Sequence, residues 1–335
     1  MSRLVLAAAL LSSPIVAQEA ASEAAPSPNE IVAQASAEEW VAIPADDLLV
    51  MTLAPDPEGD PREVVIQLMP APFSQGWVEN IRTLTRAKWY DGITVNRVQD
   101  NYVVQWGDPN HDNPEAEGKA KPLPDGLRVM EESDYTAQTH MLLVETPLHE
   151  DYAELKARDA RRFTGWRPSD AYAPSPFQSV MFKDGWPIAR DESSSWPIHC
   201  YGMVGVGRSY SPDTGSGAEL YTVIGHAPRH LDRNIGLAGR IVSGIEHLSS
   251  LPRGSGALGF YTEDEFDLRT PILTVRVASD LPEAERPAFE YLSTDGETFA
   301  RYADARANRR DPFFIVPAGG ADICNIPVPV RRVVE

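Results

Sequence analysis

VVIQLMPAPFSQGWVENIRTLTRAKWYDGITVNRVQDNYVVQWGDP, residues 64–109, is the stretch from which the rest of the chain can be read. Its first residues are β-rich up to Leu68 and are cut off by Pro70 and Pro72, as a strand ends at residues that cannot donate to a ladder. Trp77, Val78, Ile81 and Leu84 then return at three- and four-residue steps, which gives a helix with one apolar face to lay on a sheet. Ser74 stands where an N-cap is expected. Tyr90-Asp91-Gly92 ends the helix, and β-like sequence resumes from Thr94 to Trp106 before the turn Gly107-Asp108-Pro109.

Working outward, DLLVMTL (47–53) and EVVIQL (63–68) are strands separated by Pro55, Pro57, Gly59 and Pro61, so they predict a hairpin. Residues 110 to about 200 are uneven: a polar loop to Gly126, an apolar run from Met141 to Val144, and a charged helix candidate from Glu150 to Arg162. Strand patterns return at 201–206, 220–224 and 235–242, a short helix is expected over 243–250, and PILTVRVA (271–278) alternates once more. Beyond it lie Pro-broken segments and one helix candidate, 297–308. Many short strands with few helices predict a closed or nearly closed β architecture.

The start, MSRLVLAAALLSSPIVAQEA, has a basic Arg3, an apolar stretch from Leu4 to Val16 and the small Ala17, the pattern of a cleaved secretory signal over 1–17. That stretch falls short of the roughly 20 residues a membrane-spanning helix needs, so no span is expected once the signal is removed. Residues 18–38 are Ala, Ser, Glu and Pro and read as a flexible linker. The net charge of −19 argues against a nucleic-acid partner, which would require clustered cations. The two cysteines, Cys200 and Cys324, leave a disulfide open, since sequence supplies no distance.

Three stretches in order resemble the cyclophilin family: the opening segment with its Val-Glu-Asn, Tyr-Asp-Gly and Gln-x-Gly-Asp features; GMVGVGR (202–208); and GSGAELYTVIGHAPRHLDRNIGLAGRIVSGIEHL (215–248). The resemblance implies a mainly β fold, a closed eight-stranded antiparallel barrel with two capping helices and a groove on its outer surface. The barrel domain would span 39–279 around a large insertion at about 110–200, with a C-terminal extension over 280–335. The implied activity is peptidyl-prolyl cis-trans isomerisation of exported, proline-containing polypeptides, in the periplasm or outside the cell.

By the same resemblance Arg97 is the catalytic residue, and Tyr102, Val103, Gln105, Gly207, Arg208, Glu219, Leu220, Tyr221, His230 and Leu231 line the substrate groove. Such chemistry requires no metal or cofactor. The amide barrier of about 18–20 kcal/mol comes from delocalisation of the nitrogen lone pair, and a guanidinium can stabilise the twisted amide in which that delocalisation is lost. Glu219, Leu220 and Val103 depart from the family pattern, and Glu219 is placed in sequence where it could pair with Arg97. The alternative is therefore a non-catalytic module or chaperone that binds proline-containing segments. His226 and His230 are four apart, but the intervening Ala-Pro-Arg breaks the helix a zinc pair would need. GMVGVG lacks the helix start of a phosphate loop, and the acidic run 262–267 reads as a solvated loop.

Overall fold

The structure, a computed structural model, describes residues 24–110, 119–139 and 179–333. The helix candidate at 150–162, the apolar run at 141–144 and the signal segment lie outside these residues.

The chain forms helix α1 (Pro28–Ala33) and strands β1 (Trp40–Ala42), β2 (Leu48–Leu53) and β3 (Arg62–Leu68), then helix α2 (Gln75–Arg86) and strands β4 (Thr94–Val98) and β5 (Val103–Gly107). Strands β6 (Ala137–Gln138), β7 (Ser179–Lys183), β8 (Trp186–Arg190) and β9 (Ser194–Pro197) follow. After them come β10 (Met203–Val206), β11 (Leu220–Val223), β12 (Leu237–Ser243), the short helix α3 (Glu246–Ser249) and β13 (Ile272–Val277). The tail holds β14 (Phe289–Leu292), helix α4 (Glu297–Ala307) and β15 (Val330–Arg332).

Eight strands form one sheet in the order β13-β2-β3-β12-β10-β11-β5-β4, with every neighbouring pair antiparallel. Its ends meet where the Gly92 and Val95 amides donate to the carbonyls of Ile272 and Thr270, each at 2.9 Å, so the sheet is nearly closed into the expected barrel. Alternation along each strand sends one set of side chains inward, among them Val64, Ile66, Val104, Trp106, Leu220 and Val204, and these pack with the apolar face of α2. The predicted hairpin forms as β2 and β3, in register from Leu48 opposite Gln67 to Leu53 opposite Arg62.

Three expectations fail locally. Ser74 occupies the N-cap position of α2, but with φ +56° its side chain does not cap the helix; Gln75 instead donates to the carbonyls of Met69 and Phe73. The acidic run folds into a 3₁₀ helix, Glu263–Leu268, closed by a reciprocal cap between Thr262 and Glu265. The linker predicted over 18–38 gives way to structure from Pro28. Ser27 and Glu30 cap α1 reciprocally, Pro28 opens it, and Ile31 is buried in the main core. The apolar partner Ile31 required lies far away in sequence, on the tail that α1 packs against, and the linker's own composition carried no sign of it.

The termini share a sheet, β1-β14-β15, and β6 to β9 form a second small sheet, β6-β9-β8-β7. The latter places Phe182, Trp186, Ile188 and Trp196 in the main core. Cys200 and Cys324 form a disulfide across a separation of 124 residues, tying the segment before β10 to the tail.

Candidate functional site

The site lies on the outer face of the barrel along one cross-strand row. Arg97 on β4 is opposite Gln105 on β5, Gln105 is opposite Tyr221 on β11, and Tyr221 is opposite Gly205 on β10. A bulge makes this possible. The register shifts between Val95 and Arg97, so Asn96 is the extra residue; Val95 and Val98 face the core while Arg97 turns outward.

Arg97, Tyr102, Val103, Gln105, Gly207, Arg208, Tyr221, Leu231 and Ile235 line a cleft of about 100 Å³. Val103, Tyr221 and Val223 form a buried outer cluster, with Tyr102, Leu231 and Ile235 packed on it. The cleft is thus apolar on one side and cationic on the other, an arrangement suited to a ring carried on a polar backbone.

Arg97 is half-buried and held from three directions. Its Nε donates to the Leu258 carbonyl at 2.7 Å, its Nη1 to Gln105 Oε1 at 3.2 Å, and its Nη2 to Gln99 Oε1. The rings of Tyr102 and Phe260 lie 5.6 and 5.4 Å from its Cζ. Burial lowers its pKa, and the neighbouring Tyr102 and Tyr221 oppose that shift. A guanidinium remains a cation at any working pH.

Tyr221 is the buried floor of the cleft. Its ring leans across β10 into the space that a side chain at Gly205 would fill. Its hydroxyl lies 3.0 Å from His199 Nε2, and the two rings are stacked with an interplanar angle of 11°. His199 Nδ1 is 2.9 Å from Asp232 Oδ1, and Asp232 Oδ2 accepts from Arg229 Nε at 2.6 Å. A carboxylate only accepts, so Nδ1 donates a proton to Asp232 and orients the ring toward the tyrosine hydroxyl. All four side chains are buried. Burial pushes the Tyr221 hydroxyl well above its ordinary pKa.

Not every residue named from the sequence reaches the cleft. Leu220 does not: the two-residue period that points Tyr221 outward points Leu220 into the barrel core, opposite Trp106. Glu219 belongs to an adjacent cavity with Leu123, Arg208, Asp213 and Ser216, and its carboxylate lies across Gly107. The acceptors of Arg97 are Leu258, Gln105 and Gln99, so Glu219 does not hold it away from the groove. His230 is exposed at the rim, with its ring centroid 6.1 Å from that of Tyr102. Gly207 and Arg208 line both cavities, and Arg208 donates to the carbonyls of Asn234 and Ser209.

The sequence reading missed Phe260, Gln99, His199 and Asp232. Gln99 and Asp232 lie inside the stretches that resemble the family, 64–109 and 215–248, but were not singled out within them. Phe260 comes from the loop before β13, and His199 from the end of the segment read as an insertion. Among the described residues no group of three or more His, Cys, Asp or Glu could hold a metal ion, and no helix is long and apolar enough to cross a membrane.

Comparison with known proteins points the same way. The family model described as cyclophilin type peptidyl-prolyl cis-trans isomerase matches residues 62–277. No curated protein matches the chain. Among solved structures, a cyclophilin from Hirschia baltica is 20% identical with a TM-score of 0.60, covering 90% of this chain and 99% of its own. A cyclophilin-type isomerase from Cryptosporidium parvum, solved in the presence of the dipeptide Ala-Pro, is 9% identical with a TM-score of 0.35, covering 69% of this chain and 97% of its own. At these identities the likeness to Hirschia baltica is one of fold, and the second is too distant to carry an argument.

Proposed function

The chain belongs to the cyclophilin-type peptidyl-prolyl cis-trans isomerase family, and on that premise we propose that its outer groove binds proline-containing segments of exported polypeptides and catalyses rotation about the Xaa-Pro bond. The observation that carries the reading is the cross-strand row that sets the Arg97 guanidinium beside the apolar cleft of Val103, Tyr221 and Leu231.

The chemistry asks for little else. The two ground states at Xaa-Pro differ by only about 0.5–1 kcal/mol, so the task is to lower a rotational barrier. The proline ring enters the apolar half of the cleft. Each nitrogen of Arg97 already has one acceptor, and the second N–H of each terminal nitrogen remains to meet the proline nitrogen or the adjacent carbonyl as resonance is lost. Because its acceptors hold the fork in place beforehand, little reorganisation is needed at the moment of reaction. Gln105 orients Arg97 from β5, and with the backbone of Gly207 and Arg208 it offers polar contacts to the substrate main chain. A thousandfold acceleration asks for about 4 kcal/mol, within the range of one such electrostatic contact plus a shaped pocket.

The exported setting is supported by the signal-like start of the chain and by the disulfide, which persists in oxidising compartments. Catalysis is tested by exchange spectroscopy on a short Xaa-Pro peptide, which detects isomerisation without a protease. Cross-peaks between cis and trans signals at catalytic protein concentration are the expected result. Peptide shifts without accelerated exchange would favour the binding-module reading. For localisation, N-terminal sequencing of protein expressed from the whole gene should begin at Gln18 in the exported fraction; an intact Met1 in the cytoplasmic fraction would contradict it.

A further inference from the structure

The loop after α4 leaves four successive apolar residues, Phe313-Phe314-Ile315-Val316, at the surface. Phe313, Ile315 and Val316 are 84, 96 and 77% exposed. A run of this length is unfavourable in water, and on a folded protein it marks a surface that another molecule covers. The run is held at its base. Pro312 and Pro317 bracket it with fixed φ. The Phe314 amide donates to the Asp311 carbonyl at 2.9 Å, the Phe314 ring meets that of Phe313 edge-on at 5.1 Å, and Arg309 Cζ lies 4.3 Å from its centroid.

The charges beside the run cancel: Arg309 pairs with Asp311 at 2.7 Å and Arg310 with Asp304 at 2.9 Å. With a net charge of −19 on the whole chain, anionic lipid headgroups are poorly matched to this face. The same tail carries an apolar cavity of about 360 Å³, between β10, β12, the β7–β8 hairpin and Ile323–Val328. Phe182, Met203, Ile326 and Val328 line it, no Asp or Glu does, and the exposed wall residues Tyr201, Asn325 and Pro327 show that it opens to the surface. At about 30 Å³ for a water-sized group, it has room for the ends of two large side chains.

We propose that a second copy of this chain covers the run: Phe313 and Ile315 of each copy enter the other's cavity, against Phe182, Met203 and Val328. Each copy offers both an unburied apolar run and an unfilled apolar cavity, so the exchange is reciprocal and closes about a two-fold axis. Six residues separate Val316 from Ile323, which keeps the run and the cavity wall within about 25 Å of each other and lets one face carry both. The Cys200–Cys324 disulfide ties the Ile323–Val328 wall to the barrel, so the cavity is shaped before the partner arrives.

Sedimentation velocity on the whole, oxidised chain, over about a hundredfold range of concentration, reads the pairing by mass action. The wild-type protein should pass from monomer to dimer across that range. Ile315→Asp should weaken the dimer at least about tenfold, and since the side chain it replaces is 96% exposed, the fold does not depend on it. Val328→Trp, which fills the cavity, should weaken it likewise. An equal mixture of the two variants restores one of the two exchanges, so it should sediment faster than either variant alone. A wild-type monomer at every concentration, or a dimer that Ile315→Asp leaves unchanged, would overturn the proposal. So would a monomer that floats with phosphatidylcholine vesicles and loses that property in Ile315→Asp, which would assign the run to a lipid surface.

Discussion

Arg97 and Arg240 both carry a guanidinium out of bulk water with only neutral acceptors around it, yet they sit in opposite settings. Arg97 stands at the edge of an open cleft, held by a backbone carbonyl and two glutamines. Arg240 lies between the barrel and its appended layers, covered by Trp186 and Tyr291. A positive charge without a counter-ion at an open groove suits electron density that appears only transiently, as when a twisting amide returns its lone pair to the proline nitrogen. The same charge under Trp186 and Tyr291, donating to Gln67 and the Gly185 carbonyl, joins the barrel to the turn between β7 and β8. One dipeptide serves both the groove and the tail: His199 holds the floor of the groove through Tyr221, while Cys200 anchors the tail through Cys324.

The comparison can be sharpened by removing each anchor in turn. The double replacement Cys200→Ser/Cys324→Ser opens a loop of 124 residues, for which the chain-entropy model gives a loss of about 4–5 kcal/mol. Urea denaturation should show that loss, and an unchanged midpoint would mean that the tail is held without the bridge. His199→Phe keeps the stacked ring but deprives the Tyr221 hydroxyl and Asp232 of a buried partner, at about 1–3 kcal/mol. It should also slow isomerisation. If turnover is untouched, the Tyr221–His199–Asp232 chain serves only the fold.

The smallest effect is alkaline. Burial pushes Tyr221 well above the ordinary tyrosine value and Tyr261 up to about 12. Because these folded-state values exceed the unfolded one, their contribution is complete below pH 10. It falls as pH rises, since the unfolded chain ionises first. Thermal melting should therefore shift down between pH 10 and 12, with Tyr261→Phe flattening that part of the profile.

What could be read from the sequence, and what could not, follows the same division. The barrel strands and α2 were visible because period-two and period-3.6 patterns are local, and the row from β4 to β10 fell within stretches of recognisable order. Arg97, Tyr102, Val103, Gln105, Tyr221 and Leu231 do meet at one cleft. Leu220 was misassigned because a motif match took precedence over strand alternation. The bulge at Asn96 appears in sequence only as a broken alternation, and its consequence, the outward turn of Arg97, depends on pairing with β5. His199, Phe260, Arg240 and the order at α1 all depend on partners distant in sequence, and nothing in their immediate surroundings signals those partners.

The central claim is that Arg97 stabilises the twisted amide, and it is tested most directly by comparing wild type with Arg97→Ala in a protease-free isomerisation assay on one Xaa-Pro peptide. Losing one well-placed donor of this kind costs about 10²–10³ in rate, so kcat/KM should fall by that factor while peptide affinity and circular dichroism change little. A variant that isomerises the peptide as fast as wild type would contradict the account and leave the groove as a binding surface alone.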